Sequence, residues 1–318
     1  MTNVNTNLHF LSSSNRVGSG GYYEEYRKKW FDYPENFHVS DFPLFLDIEA
    51  TSSCNLSCPH CVQTYAGFRK GYIPWDLYEK IIDEASEAGC YGCKYHTIGR
   101  GEPLLHKELV KMIAYAKKKG MIDTYLNTNG ILLTRQRIKA LLDAGLDQIV
   151  FSVDGYTKEK YEANRPGADF YRLGWNIEMF RRYRDLGNYS TKIRIQTVAL
   201  KGLDLNKYRE FWSDKADEIT YLDFKDMRKR EVGLEGDWIC PQPWQRVSVL
   251  WDGKVNICNH DDRGFAILGN VKDESIYKLW HSAGAEYIRD AFKNGMQDML
   301  SACNGCFLRV AEIKKEGL

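Results

Sequence analysis

Three cysteines, Cys54, Cys58 and Cys61, fall within the stretch Cys-Asn-Leu-Ser-Cys-Pro-His-Cys, directly after the apolar run 44–50. Three thiolates on one short loop, with no fourth cysteine nearby, can hold a four-iron cluster and leave one iron open to a substrate or cofactor. Two-residue cysteine spacings also serve structural zinc. His60 would then have to supply the missing ligand from between Pro59 and Cys61, sharing the metal with its immediate neighbour, which is sterically poor. The loop reads as the reaction centre of a redox enzyme.

A second set of cysteines lies toward the other end of the chain. The composition shifts after residue 224, where Lys225, Arg228, Lys229 and Arg230 lead through Gly233 and Gly236 to Cys240-Pro241-Gln242-Pro243-Trp244. A strand-like run 246–251, the turn Asp252-Gly253 and a run 255–257 form a hairpin that delivers Cys258, and Cys303 with Cys306 completes a set of four. Structural zinc fits four cysteines geometrically and stays open as an alternative. Cys90 and Cys93 stand apart, at the junction of a helix with the start of a strand, and read as buried structural thiols.

From about Phe42 the chain alternates strand-like and helix-like periods, the signature of repeated βα units on a parallel sheet. Strands are predicted at 45–50, 95–98, 123–127, 148–153, 192–200 and 219–224. Helices are predicted at 75–88, 104–118, 134–144, 173–185 and 205–216, each with an apolar stripe. In barrels of such units chemistry gathers where loops leave the carboxyl ends of the strands. The three-cysteine loop is one of these loops.

The others carry suitable side chains. Gly99-Arg100-Gly101-Glu102-Pro103 combines close backbone approach with a carboxylate able to accept from an ammonium group. Asn127-Thr128-Asn129-Gly130 follows the next strand, and Ser152-Val153-Asp154-Gly155 the one after. Ser152 and Asp154, two residues apart, are expected on one side of the strand, suiting a ribose diol. Arg165 lies in the following loop.

In this order the segments resemble the radical SAM superfamily, over about residues 42–224. The resemblance implies an α/β fold, a partial (βα)6 TIM-like barrel, with S-adenosylmethionine bound on a [4Fe-4S] cluster held by Cys54, Cys58 and Cys61. It implies Gly101, Glu102 and Asn129 near the methionine end of that cofactor, Ser152 and Asp154 on its ribose, Arg165 on its carboxylate and His60 near its adenine. Arg100 departs from the glycine that many members carry there. Residues from Cys240 onward, with Gly253, Asp261, Gly269-Asn270 and Trp280, resemble the SPASM or twitch extension of that superfamily, a small β-hairpin plus helix iron-sulfur domain. That resemblance implies one auxiliary [4Fe-4S] cluster on Cys240, Cys258, Cys303 and Cys306. The division expected is an N-terminal arm at 1–41, the barrel at 42–232 and the auxiliary domain at 233–318.

The implied reaction is reductive cleavage of S-adenosylmethionine to a 5′-deoxyadenosyl radical that takes hydrogen from the substrate, so specificity rests on substrate placement. An epimerase commonly needs a free cysteine to return hydrogen, and none is obvious. An auxiliary cluster with four protein ligands could instead accept the second electron of an oxidation. The preferred expectation is dehydrogenation of an alcohol carbon in a sugar or aminocyclitol. A radical epimerase, a peptide maturase and a noncatalytic iron-sulfur or zinc scaffold are the alternatives. Gln196, Lys225, Arg228 and His260 are the substrate-side candidates, and His96 reads as a core histidine.

Lys plus Arg 44 against Asp plus Glu 43 gives a net charge of +1 over 318 residues, so no global field recruits nucleic acid or an acidic membrane. No apolar run approaches the roughly 18 residues of a membrane span. Nine cysteines, an odd number in clusters and without a signal-like apolar region, argue against a secreted disulfide framework. The expected setting is cytoplasmic, with a small-molecule substrate and a reducing partner such as flavodoxin or ferredoxin. Residues 1–20 read as a mobile or draped arm, and the aromatic segment 22–33 as packing onto the domain.

Overall fold

The computed structural model describes residues 8–10, 21–96, 101–224, 226 and 238–316. One ten-stranded sheet organises them. The strands are β1 (Leu8–Phe10), β2 (Phe45–Ile48), β3 (Gly92–Lys94), β4 (Asp123–Thr128), β5 (Gln148–Ser152), β6 (Lys192–Ala199), β7 (Glu218–Asp223), β8 (Arg246–Val249), β9 (Lys254–Asn256) and β10 (Ile267–Asn270). Their order is β1-β7-β6-β5-β4-β3-β2-β8-β9-β10. From β2 to β7 the pairing is parallel throughout, giving the six-stranded partial barrel predicted from the βα alternation.

The helices are α1 (Gly21–Glu35), α2 (Trp75–Glu87), α3 (Leu109–Lys118), α4 (Arg135–Asp143), α5 (Lys158–Asn164), α6 (Phe170–Leu186), α7 (Leu205–Trp212), α8 (Gln242–Gln245), α9 (Ile276–Trp280), α10 (Ala283–Lys293) and α11 (Phe307–Glu316). Local chemistry starts several of them. Thr134, Thr157 and Asp169 accept from the backbone N–H three residues on and so cap α4, α5 and α6. Leu77, Ile81, Ile82 and Ala85 of α2 join Leu46 and Ile48 of β2 in the main core, and all four residues of β2 are buried, so both of its faces are covered, as a parallel sheet requires.

Three departures from the sequence reading have physical causes. β3 occupies Gly92–Lys94 rather than 95–98, because its register is set by β2 and β4, and Cys93 is buried within it. The loop after it brings Gly101 and Glu102 back toward β2. Leu8–Phe10, in the segment read as a draped arm, instead pairs antiparallel with β7 at the sheet edge. That contact joins residues about two hundred positions apart and has no local signature.

The third concerns the auxiliary segment. β8 pairs in parallel with β2, Phe45 opposite Arg246, and β9 and β10 extend the sheet antiparallel. The predicted hairpin is present as β8 and β9, with Gly253 at φ +91° in its turn. Its strands continue the barrel sheet instead of forming a sheet of their own.

The aromatic segment forms α1, which lies across the amino ends of β2, β3 and β8. Tyr26 stacks on Tyr91 at 4.8 Å, Trp30 meets Phe45 edge-on, and the Arg246 guanidinium lies 4.5 Å from the Trp30 ring. Gln245 Nε2 donates to the Trp30 carbonyl at 2.7 Å. No helix among the described residues is long and apolar enough to cross a membrane. Trp30→Ala should lower unfolding stability by about 3–5 kcal/mol, read from urea denaturation, because Trp30 is 4% exposed and its removal leaves a cavity at the barrel floor.

Candidate active site

The cysteine loop leaves β2 and is held by side chains that donate to backbone carbonyls of the same segment. Thr51 Oγ1 donates to the Gly71 carbonyl at 2.7 Å, Ser52 Oγ donates to the Arg69 carbonyl at 2.9 Å, and Gln63 Nε2 donates to the Ser52 carbonyl. The Cys61 N–H donates to the Cys58 carbonyl at 3.0 Å, and Thr64 Oγ1 donates to the same carbonyl at 2.8 Å. All three thiols border one cavity of about 450 Å3, within the size range of small-molecule sites. Burial raises the pKa of each, and each is raised further by one of the other two, so the three lie within electrostatic reach. Neutral soft donors in this setting bind metal by losing a proton.

The second wall is the Glu102 loop. Gly101 takes φ +75°, and a Cβ there would stand 1.8 Å from the Thr51 carbonyl oxygen, so only glycine allows this approach. The Glu102 N–H donates to the Ser53 carbonyl at 2.7 Å, beside Cys54. The Glu102 carboxylate accepts from Leu104 N–H at 3.0 Å, Thr128 Oγ1 at 2.7 Å and Asn129 N–H at 2.7 Å. Burial raises its pKa, and these donors act against that rise. Asn129 Nδ2 in turn donates to Asn55 Oδ1 at 2.9 Å, fixing the cysteine loop to the loop after β4. Gly99 and Arg100 lie outside the described residues.

The third wall corrects the reading of Asp154. Ser152 lines the cavity, but Asp154 is fully buried and does not. β5 ends at Ser152, so strand alternation no longer governs position 154. The Asp154 carboxylate turns inward instead. Its Oδ1 accepts from Val198 N–H at 3.0 Å and Thr197 Oγ1 at 3.2 Å, while Oδ2 lies 2.7 Å from Arg165 Nη2 and 3.2 Å from His60 Nε2. Burial works against ionisation, and Arg165 with His60 more than offsets it, holding the carboxyl at about 2. Arg165 and His60 are the groups that face the cavity, and Asp154 is their support.

Gln196 of β6, a substrate-side candidate, lines the same cavity. His260 is on the wall too, with Nδ1 2.8 Å from Gln242 Nε2 and its ring 5.3 Å from Phe307. Lys225 and Arg228 lie outside the described residues, as do Lys229 and Arg230. Sequence reasoning passed over Lys94, Arg194, Arg246 and Asn259, all of which line the cavity. Arg194 could have been found from Gln196, two residues along one strand. His96, read as a core histidine, is also on this wall, and burial lowers its pKa to about 3, so its ring is neutral.

The second cysteine set also gathers. Burial raises the Cys258 pKa first, followed by Cys240, Cys306 and Cys303, and Cys240 is pushed up to about 12 by burial with Cys306 adding to it. Asp261 braces this loop, its Oδ2 accepting from Asn256 Nδ2 at 2.9 Å and Ala266 N–H at 2.7 Å. Cys90 and Cys93 are buried, are absent from the cavity wall, and have pKa values of about 12 from burial, as structural thiols should. Among the described residues no three or more His, Cys, Asp and Glu side chains close on a point suited to a single metal ion.

A parallel partial barrel with a three-thiol loop at the carboxyl ends of its strands, flanked by a four-cysteine unit, defines an iron-sulfur redox architecture. Residues 48–210 match the Radical SAM superfamily and residues 240–307 match an iron-sulfur cluster-binding SPASM domain, so the chain belongs to the radical SAM superfamily. Its cofactors are a [4Fe-4S] cluster, S-adenosylmethionine and auxiliary iron-sulfur. The tungsten-containing aldehyde ferredoxin oxidoreductase cofactor-modifying protein of Pyrococcus furiosus is 24% identical over 323 residues, 84% of this chain and 88% of that protein. A GTP 3′,8-cyclase of Chlorobaculum tepidum is 31% identical over 168 residues, which cover 52% of this chain and only 48% of the cyclase. The solved structure of BtrN in complex with AdoMet and 2-DOIA aligns with a TM-score of 0.58 at 20% identity, covering 84% of this chain and 94% of that one.

Gly101→Ala tests how the first two walls are joined. The positive φ alone costs about 1–2 kcal/mol, and the Thr51 carbonyl must also move. After anaerobic cluster reconstitution the variant should bind S-adenosylmethionine at least about tenfold more weakly in equilibrium dialysis.

Proposed function

We propose that this chain binds S-adenosylmethionine on a [4Fe-4S] cluster held by Cys54, Cys58 and Cys61 and dehydrogenates an alcohol carbon of a small polar substrate, a carbohydrate or aminocyclitol. One observation carries the reading. The cavity that holds the three-cysteine loop is walled on its other side by the auxiliary segment, through Gln242, Asn259, His260, Phe307 and Leu308. A substrate placed there lies between the two cysteine sites. The donor sets fit their cofactors: three soft thiols with open space beside them, and four thiols that already perturb one another. The fold shared with BtrN, which takes AdoMet in its solved structure, supports the cofactor half of the proposal.

When bound, the cluster and S-adenosylmethionine supply an electron and, by splitting the sulfonium, a hydrogen-abstracting carbon radical. The chain's own residues bind and orient. Glu102 and the Gly101 backbone receive the methionine ammonium, with Asn129 keeping Glu102 in place through its N–H. Arg165 faces the methionine carboxylate, kept charged and directed by Asp154. Ser152 offers a hydroxyl to the ribose, and His60, held by the same Asp154, stands near the adenine. Cys240, Cys258, Cys303 and Cys306, whose thiols perturb one another, would hold an auxiliary [4Fe-4S] cluster, and that group would supply an acceptor for the second electron of the oxidation. Gln196 and His260 bound the substrate space. Residues 42–232 form the cofactor-binding barrel, 233–318 the auxiliary unit and 1–41 the N-terminal arm, and the enzyme works in the cytoplasm with a flavodoxin or ferredoxin as reductant.

Dehydrogenation is preferred over epimerisation because the cysteines on the described cavity wall are Cys54, Cys58 and Cys61, leaving no separate thiol there to return hydrogen. Tyr125, on the same wall, is the specific observation that favours the epimerase reading. Anaerobic incubation of reconstituted protein with dithionite and S-adenosylmethionine should yield 5′-deoxyadenosine, and Cys58→Ala should abolish it. Continued formation in that variant sinks the assignment of the loop, and no formation in the parent protein favours a noncatalytic scaffold. With candidate carbohydrates in deuterated water, mass spectrometry should find a product two mass units lighter. A product of unchanged constitution that has taken up solvent deuterium, and fails to do so in Tyr125→Phe, would establish an epimerase instead, and modification of a peptide probe a maturase.

A further inference from the structure

The floor of the cavity carries charge that the cofactor contacts do not use. Lys94 at the end of β3, Arg194 on β6 and Arg246 at the start of β8 all line it, and each is more than nine-tenths buried. Among the described residues, the carboxylates in ion pairs with these three cations are those of Asp47 and Glu218. Asp47 lies 3.1 Å from the Lys94 ammonium and 3.5 Å from Arg246 Nη1, and Glu218 accepts from Arg194 Nε at 2.6 Å. Both carboxylates are completely buried behind the cations, and neither reaches the cavity wall. Asn259 Nδ2 also donates to Asp47 at 2.8 Å, occupying more of that carboxylate, while Arg246 Nε is buried with no hydrogen-bond partner.

The cavity therefore meets a ligand with cations in front and carboxylates behind. Among the described residues, the other charged groups on its wall sit elsewhere: Arg165 and Glu102 at the proposed cofactor end, and Asp223 at the carboxyl end of β7. His96 is neutral. Buried charge is stable only when paired and hydrogen-bonded, and guanidinium and ammonium donors are matched best by oxyanions.

We infer that this floor is a subsite for an oxyanion carried by the substrate, a phosphate or a carboxylate, so that the substrate is an acidic carbohydrate and not a neutral sugar or an aminocyclitol. The inference rests on the proposed carbohydrate oxidation and names its substrate class. Seating the anion against Lys94, Arg194 and Arg246 turns the rest of the molecule toward the carboxyl ends of the strands, where the cysteine loop stands.

Isothermal titration calorimetry of the anaerobically reconstituted full chain, with and without S-adenosylmethionine, tests this with glucose 6-phosphate, glucuronate, glucose and glucosamine at fixed ionic strength. At least one acidic probe should bind about tenfold more tightly than glucose, and glucosamine no more tightly than glucose. The tighter of the two acidic probes identifies the oxyanion as phosphate or carboxylate. Lys94→Met leaves Asp47 with Arg246 as its one cation among the described residues, removing the excess positive charge of that group, and Gln196→Glu adds a carboxylate to the wall without touching an ion pair. Each should weaken the acidic probe about tenfold, with circular dichroism checking the fold. No preference for either acidic probe, or unchanged binding in both folded variants, overturns the inference. Formation of 5′-deoxyadenosine without anion discrimination removes the subsite and leaves the proposed function. Anion discrimination without 5′-deoxyadenosine removes that function and leaves an oxyanion site in a protein of different chemistry.

Discussion

Asp47 is the point on which the two parts of the molecule meet. It lies on β2 with 0% exposure, receives Lys94 from β3 and Arg246 from β8, and accepts from Asn259 in the loop just after Cys258. Burial opposes its ionisation, but the two cations and the Asn259 amide more than compensate, and the carboxyl stays below its usual range. A buried carboxylate is stable only while it is paired and hydrogen-bonded, so the three partners together hold it in place. β2 also ends where the first cysteine loop begins. One side chain thus ties the origin of that loop to the strand and turn that present the auxiliary thiols.

The proposed cofactor end of the cavity is built on the same principle but with different parts. Glu102 satisfies donors from its own loop and from the loop after β4, and the Gly101 backbone closes on Thr51 with no room for a side chain. Asp154 holds Arg165 and His60 from behind. In both places a carboxylate out of contact with the ligand space sets the direction of groups that border it. Preorganisation of this kind lowers the cost of ordering side chains on binding.

Legibility in the sequence followed how local each feature is. The three-cysteine loop, the alternation of strands and helices and the hairpin before Cys258 rest on spacing and periodicity within short windows and were legible there, whereas β3 lies at Gly92–Lys94, ahead of the expected 95–98. Asp154 was misplaced because alternation holds only inside a strand, and β5 stops two residues earlier. The pairing of Leu8–Phe10 with β7 and the floor formed by Lys94, Arg194 and Arg246 depend on partners far along the chain. Their charges read equally well as solvated surface until the sheet brings Asp47 and Glu218 beside them. His96 shows the same limit, since its ring lies against the cavity only because the strand before it is shifted toward Gly92.

The parallel pairing of β8 with β2 has a further consequence for electron transfer. Backbone hydrogen bonds join the strand that precedes the first cysteine loop to the strand that leads into the hairpin before Cys258. No hinge intervenes along that route. Tunnelling rates fall steeply with separation, so under the proposed oxidation a spacing locked by a shared ladder would give the same rate in every turnover, whereas a tethered module would sample a range of them.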